Sequence, residues 1–307
     1  MATSMHRVTA TELNLRSAPD PTKKNRIATL VQGTLVEKLA TAAVTPWWKV
    51  ATTVGGQALE GFVNSDFLVP AGAAPEVAAV SSVGEAHLRR DHPTAKRNSD
   101  APGSRAHPLN DKPHPPALSG TAAERAAQLV AIIEWAGVDG GARWQPGAGL
   151  TFCNIYAHDI AFVAGAYIPR AWWTGEALQK LQAGQSVTPT FGTTVRELNA
   201  NALTNWFETH GGGFGWRRTF DLTELQDAAN AGRVCVIVAH NANSNRSGHI
   251  QIVAPEHGGF AAKRSGGKVT NPLQSQAGAK NFQFGHLPAN WFADSAQFSK
   301  HGLWICG

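Results

Sequence analysis

Two residues, Cys153 near the middle of the chain and His249 further along it, have the types and settings that thiol hydrolysis requires. Cys153 stands where a Gly-rich loop gives way to apolar residues at helical spacing, which predicts that it lies in the first turn of a helix. The positive end of a helix dipole favours a thiolate, and an imidazole partner lowers the thiol pKa further. His249 begins the run His-Ile-Gln-Ile-Val, which alternates like a strand. The pattern predicts a cysteine nucleophile and its histidine base.

A third polar group is needed to hold the imidazole in one tautomer, and two residues are candidates. Glu256 follows His249 by seven residues. Across a full strand this is about 20 Å of extended chain, too far for a hydrogen bond. Gln276 lies on a candidate neighbouring strand, and its amide oxygen can accept a hydrogen bond from the imidazole N–H. We therefore expect Gln276 as the third member and keep Glu256 as the less favoured alternative.

The other thiols and histidines form no recognisable site. The chain has three cysteines, widely spaced, and Cys235 lies inside an all-apolar run typical of a buried strand, while Cys306 has no assignable role. No paired Cys or His spacing of a metal site occurs. We expect neither a metal nor another cofactor.

The net charge of +5 and the pI near 9.3 would permit polyanionic partners. Six of the Lys and Arg residues lie in residues 71–120, a Pro-rich and apolar-poor segment that we interpret as a solvated linker. We therefore expect no nucleic-acid partner. The first ten residues do not have the form of a secretory signal and no run approaches the length of a membrane span. These features predict synthesis in the cytoplasm without a cleavable signal peptide, and no membrane insertion.

Hydrophobic spacing outlines the second half of the chain as a mixed α+β domain. Helices are predicted over residues 122–136, from Cys153 to Gly165, and over residues 198–209 and 222–231; strands are predicted over residues 234–239 and from His249. We expect helices packed on an antiparallel sheet over residues 121–307.

The first seventy residues contain short alternating runs separated by turn residues, the pattern of a small antiparallel barrel. The runs Leu-Asn-Leu-Arg-Ser-Ala-Pro, Gly-Thr-Leu-Val, Trp-Trp-Lys-Val and Gly-Phe-Val follow one another in this order. The segment resembles the bacterial SH3-like domain, with Ala18 and Phe62 replacing a usual Gly and Trp. The resemblance implies an all-β barrel over residues 1–70 that binds cell wall or peptide. A spacer barrel without a ligand is the alternative.

Residues 121–307 resemble the NlpC-type and CHAP-type papain-like hydrolases. The resemblance is carried by the start Cys-Asn-Ile-Tyr with Asp159, the region of Trp173, Gly-Trp at 215–216, the Gly-His strand, and Gln-Ala-Gly at 276–278 followed by Asn-Phe. It implies cleavage of an amide bond of peptidoglycan, by an endopeptidase within the stem peptide or by an amidase at the glycan–peptide junction. The substrate-binding residues that we expect are Trp173, Trp216, Asn243 and Asn154.

Two contexts fit a wall hydrolase without a signal peptide. One is a phage-type endolysin, and the other is an antibacterial effector that is injected into the periplasm of a rival cell and matched by an immunity protein. Two other classes stay open: a non-catalytic cell-wall binding protein, and a papain-like hydrolase or acyltransferase acting on a protein substrate.

Overall fold

Among the residues that the structure describes, seven antiparallel strands build the first part of the chain. They are β1 (Ser4–Val8), β2 (Glu12–Arg16), β3 (Arg26–Val31), β4 (Leu35–Thr41), β5 (Trp47–Val54), β6 (Gln57–Asn64) and β7 (Leu68–Pro70). They form one sheet in the order β3-β2-β6-β5-β4-β1-β7. Alternate residues point to one side, where the fully buried core consists of Val8, Leu15, Leu30, Val36, Val50 and Val63. The alternating runs of the sequence lie in or beside these strands.

The structure, a computed structural model, describes residues 4–10, 12–20, 25–31, 33–44, 46–54, 57–71, 83–86, 95–98, 107–243 and 245–307. The chain divides into two units, Met1–Glu76 and Val77–Gly307. The second unit is a mixed α+β structure with a curled antiparallel sheet. Within the described ranges, no helix is both long enough and apolar enough to cross a membrane.

The main sheet of the second unit has six strands, each antiparallel to its neighbours. Numbered along the chain, the strands of this unit are β8 (Ala171–Trp173), β9 (Val195–Glu197), β10 (Trp216–Thr219), β11 (Val234–Asn241), β12 (His249–Val253), β13 (Lys263–Ser265), β14 (Lys268–Asn271), β15 (Gln274–Gln276), β16 (Phe282–Gly285) and β17 (Phe298–Cys306). The order in the main sheet is β10-β17-β11-β12-β15-β16, while β8 pairs with β9 and β13 with β14.

Five α-helices accompany this sheet in the described part of the chain, and α2, α4 and α5 pack directly against its strands β11 and β12. They are α1 (Ala122–Ala136), α2 (Cys153–Ala164), α3 (Gly175–Gln182), α4 (Ala200–Thr209) and α5 (Leu222–Asn230). Helices α1, α2 and α4 share one core with Val236 and Val238, and α5 shares another with Cys235 and Ile237. Because β11 is buried on both faces from Val234 to Ala239, its sequence there is apolar rather than alternating. The sequence identified four of these helices; α3, with a single buried residue, was not among them.

The segment expected to be a solvated linker is in part a component of the second unit. Val83, Ala86 and Leu109 are buried in the same core as α1 and α2. The backbone carbonyls of Arg97 and His107 accept hydrogen bonds from Arg143. Low apolar content suggested a tether, but a few buried side chains and main-chain hydrogen bonds attach this segment. The second unit therefore begins at Val77, before the domain start at residue 121 that the sequence predicted.

Candidate active site

Cys153 is the first residue of α2, where the sequence predicted it, and its side chain is only 2% exposed. The N-cap residue Phe152 provides no side-chain hydrogen bond to the helix. The other four α-helices all have a capping side chain: Thr121, Thr174, Asn199 and Asp221. The first-turn N–H groups of α2 are therefore not occupied by a cap, and the backbone N–H of Asn154 bonds to the Cys153 sulfur. Such an N-terminus stabilises negative charge on the sulfur.

His249 begins β12 and is paired with Ala239 of β11. Its side chain makes a hydrogen bond with the Cys153 thiol, and its ring packs edge-on against Trp291 with the ring centroids 5.1 Å apart. The preceding residue must be glycine, because a Cβ at position 248 would overlap the carbonyl oxygen of Ala239. The strand thus delivers His249 to the start of α2.

Gln276 closes a hydrogen-bonded chain behind the imidazole. Nε2 of His249 donates to Oε1 of Gln276 at 2.6 Å, and Nε2 of Gln251 donates to the same oxygen at 2.6 Å. The Gln276 amide nitrogen in turn donates to the Lys280 carbonyl at 2.9 Å. With Nε2 engaged in this way, Nδ1 is the ring nitrogen that remains for the Cys153 thiol.

The electrostatics of the pair favour its charged form. Burial alone would raise the pKa of Cys153, but the charge and hydrogen bond of His249 and two backbone N–H groups lower it below that of an ordinary thiol. Burial alone would lower the pKa of His249, but Cys153 and the hydrogen bond to Gln276 raise it. Both shifts have the direction of a thiolate–imidazolium pair, the form in which a cysteine is nucleophilic at neutral pH.

Glu256 is engaged elsewhere. Its carboxylate forms an ion pair with Arg264 at 2.5 Å and accepts hydrogen bonds from Asn230 Nδ2 and the backbone N–H of Ala262. The hydrogen bond from Arg264 is the main reason why the pKa of Glu256 falls to about 2. The structure thus brings Gln276, and not Glu256, to the imidazole.

The two tryptophans expected to contact substrate are core residues. Trp173 donates its ring N–H to the carbonyl of Gly84, and Trp216 donates to that of Tyr167. Both are buried in the main core of the unit, Trp216 against Phe207. The structure corrects the expectation that they line a binding surface, because their flat faces contact protein rather than solvent.

The two asparagines lie nearer the surface. Asn154 is half-buried and donates to the carbonyl of Leu198, which directs its side chain toward the start of α4. Asn243 is exposed in the loop between β11 and β12, where its Oδ1 accepts from the backbone N–H of Asn245. Asn243 retains an exposed position near the strand of His249, and its role in substrate binding stays a prediction.

Three residues around the site were not singled out from the sequence: Gln251, Trp291 and Gly248. Strand alternation could have found Gln251, since it lies two residues after His249 and therefore on the same face. Trp291 had no such signal, because its contact with His249 arises from a short 3₁₀ turn far along the chain. Among the residues that the structure describes, no group of three Cys, His or acidic side chains could hold a metal ion.

Comparisons with known proteins give little beyond this geometry. No protein-family model matches the chain, and no curated protein matches it. Among solved structures, NlpC2 from Trichomonas vaginalis is similar over 99% of this chain and 73% of its own length, with 10% identity and a TM-score of 0.24. So low a TM-score does not establish a common fold.

Proposed function

We propose that the second unit is a cysteine hydrolase that cleaves an amide bond. The observation that carries this proposal is the hydrogen-bonded series Cys153, His249 and Gln276 at an N-terminus of a helix without a side-chain cap. Cysteine and histidine pKa shifts of opposite direction support the same assignment, because a buried structural thiol would have a raised pKa. Cys235 is such a thiol, and burial raises its pKa far above the ordinary value.

In the proposed reaction the Cys153 thiolate attacks the carbonyl carbon of the amide. The resulting oxyanion is stabilised by the uncapped first-turn N–H groups of α2, that of Cys153 in particular. His249, protonated in the ion pair, transfers its proton to the leaving amine as the C–N bond breaks and a thioester forms. Neutral His249 then takes a proton from the water that attacks the thioester; the C–S bond breaks, the product leaves as a carboxylic acid, and the Cys153 thiolate beside protonated His249 is restored. Gln276 keeps Nε2 protonated throughout, so that Nδ1 exchanges the proton.

The proposed substrate is peptidoglycan, cut within the stem peptide or at the glycan–peptide junction. This choice is supported by the resemblance of the sequence around Cys153, His249 and Gln276 to papain-like wall hydrolases, and by the SH3-like motifs of residues 1–70. In this proposal the first unit binds the wall and increases the local concentration of substrate. We propose that the protein acts at the cell wall or in the periplasm, either as an endolysin or as an injected effector with an immunity protein as partner.

The test measures release of soluble fragments from purified sacculi by the full chain and by Cys153→Ala and His249→Ala. We expect release by the unsubstituted chain and none by either variant. Cys306→Ser is the matched control, because this half-buried thiol has a raised pKa, about 11, and lies at the end of β17 away from the histidine. Release by Cys153→Ala equal to that of the unsubstituted chain would refute the proposal.

The fragments themselves distinguish the remaining alternatives. Free stem peptides indicate an amidase, and shortened peptides still attached to glycan indicate an endopeptidase. If the unsubstituted chain binds sacculi without releasing fragments, a non-catalytic binding protein is favoured. If it neither binds nor cuts sacculi but modifies a protein through Cys153, a protein-directed hydrolase or acyltransferase is favoured. A holin gene or a small immunity gene beside the coding sequence would separate the two contexts.

A further inference from the structure

Gln251 is a fully buried amide behind the proposed base. It lies on β12 two residues after His249, and the pairing of Ile252 with Ser275 places it opposite Gln276 on β15. Its Nε2 donates to Gln276 Oε1 at 2.6 Å. Its own Oε1 is buried and has no hydrogen-bond partner among the described residues.

An amide at this position has a cost that an apolar side chain would avoid. A buried carbonyl without a partner loses its hydration and regains nothing, whereas Met or Leu would fill similar space without that loss. Buried polar atoms are normally paired in folded proteins. The retained amide therefore points to a role of the Gln251 N–H that an apolar residue could not fill.

That role follows from the two orientations that the terminal amide of a glutamine can adopt. The terminal torsion of Gln276 has two nearly equivalent settings, which present either oxygen or NH₂ to the imidazole. If NH₂ faced His249, Nε2 would have to accept a hydrogen bond, and the neutral ring would carry its proton on Nδ1 toward the thiol. A histidine in that tautomer could not take a proton from the thiol.

Two contacts select the setting with oxygen toward the imidazole. The Lys280 carbonyl accepts from the Gln276 nitrogen on one side, and Gln251 donates to the Gln276 oxygen on the other. Reversing the amide would place two donors together at Gln251 and two acceptors together at Lys280. Gln276 Oε1 is thus held by two donors at once, only one of which is the histidine.

We propose that Gln251 is a positioning residue that fixes the orientation of the Gln276 amide and thereby the tautomer of His249. The inference depends on the proposed function, since it assigns Gln251 to the support of that base. It concerns the state of the Cys153–His249 pair, which can be measured without any substrate.

The experiment follows alkylation of Cys153 by iodoacetamide as a function of pH in the full chain, with mass spectrometry to locate the label. The rate reports the thiolate fraction. In Gln251→Met we expect the midpoint of the profile to rise by about one pH unit, so that the rate at mildly acidic pH falls about tenfold while the alkaline plateau is unchanged. Gln251→Leu should give the same shift, and it replaces Gln251→Met in the experiment if the methionine variant folds poorly.

Gln274→Met is the matched control. Gln274 is also a buried glutamine, on the same strand as Gln276, but its hydrogen bonds go to Asn271, Pro272 and Leu287. Its profile should coincide with that of the unsubstituted chain. An equal shift in Gln274→Met, or no shift in either Gln251 variant, would overturn the proposal, and so would a Cys153 that is unreactive below the ordinary thiol range in the unsubstituted chain.

The two proposals fail in different ways. A shifted profile in the Gln251 variants, with no release from sacculi by any form, supports the positioning role and contradicts peptidoglycan hydrolysis. Release from sacculi with unshifted profiles supports the hydrolase and contradicts the role of Gln251.

Discussion

Nε2 of His249 lies 2.6 Å from Oε1 of Gln276, so the group that orients the imidazole is a neutral amide. A carboxylate at this position would add a negative charge beside the ring, whereas an amide adds only a dipole. The charge that raises the pKa of His249 is therefore that of Cys153, opposed by burial. Each charged form stabilises the other, and the two groups are expected to titrate as a coupled pair.

Replacement of Gln276 should impair turnover more than folding. In Gln276→Ala the Nε2–H of His249 loses its acceptor, and we expect kcat to fall at least tenfold, which corresponds to the loss of about 1.4 kcal/mol of orienting energy. Gln276→Glu keeps an acceptor in place and should retain more activity, with the alkaline limit of the pH profile moved upward by the added charge. The measurement is fragment release over a range of pH, beside urea unfolding of each variant. Equal activity of Gln276→Ala and the unsubstituted chain would contradict the assignment.

Activity should show a bell-shaped dependence on pH. The depressed pKa of Cys153 sets the acidic limb, because protonation of the thiolate removes the nucleophile. The raised pKa of His249 sets the alkaline limb, because loss of its proton removes the acid that protonates the leaving amine. We expect kcat/KM to extend to lower pH than an ordinary thiol with a pKa near 9.0 would allow. A profile that rises only near the ordinary thiol pKa would contradict the ion pair.

Glu256 should contribute to stability and not to catalysis. Its pKa is about 2 in the folded chain against 4.5 for the free group, so its contribution is complete above pH 4.5 and is lost as pH falls toward 2. Chemical unfolding of the unsubstituted chain and of Glu256→Gln should therefore give a difference in the free energy of unfolding that is constant above pH 4.5 and shrinks below it. Fragment release by Glu256→Gln should be unchanged. A large loss of activity in this variant would restore Glu256 as a candidate for the third member.

Gly248 should be intolerant of any side chain. A Cβ there would overlap the Ala239 carbonyl oxygen and come within 2.6 Å of Asn201 Oδ1, so Gly248→Ala must displace the start of β12 together with His249. We expect loss of most activity, with destabilisation of about 1–3 kcal/mol from overpacking. Gly140→Ala is the control, since a Cβ at that position has no neighbour within 4 Å. Equal behaviour of the two alanine variants would show that the close approach is not required.

Local patterns predicted the site because each of its members lies at the boundary or on one face of a regular element. Cys153 starts a helix, and His249 starts a strand. The predictions that the structure corrects concern which side chains are buried. Trp173 and Trp216 looked suited to a polymer, but a large apolar ring is equally suited to a core, and sequence spacing does not separate the two. The attachment of residues 83–86, 95–98 and 107–111 was missed for a related reason, because main-chain hydrogen bonds and a few buried side chains, Leu109 among them, leave no periodic signal.

The second unit should need part of the segment before residue 121. Leu109 is buried, and its N–H donates to Asp159 Oδ1, while Asp159 forms a fully buried ion pair with Arg143 and sits on the same helix as Cys153. Removing a buried leucine costs about 2–5 kcal/mol, and a buried ion pair that loses supporting hydrogen bonds is costly as well.

We therefore expect a fragment of residues 77–307 to unfold at the temperature of the same unit in the full chain, and a fragment of residues 121–307 to have a Tm about 10 °C lower or to be insoluble. Leu109→Ala in the longer fragment should reproduce part of the loss, and Leu150→Ala, at a leucine that is 60% exposed, should reproduce none of it. Calorimetry of the fragments measures these differences. If residues 121–307 were as stable as residues 77–307, the segment before residue 121 would be a linker. Its contacts with Arg143 and Asp159 would then not stabilise the second unit.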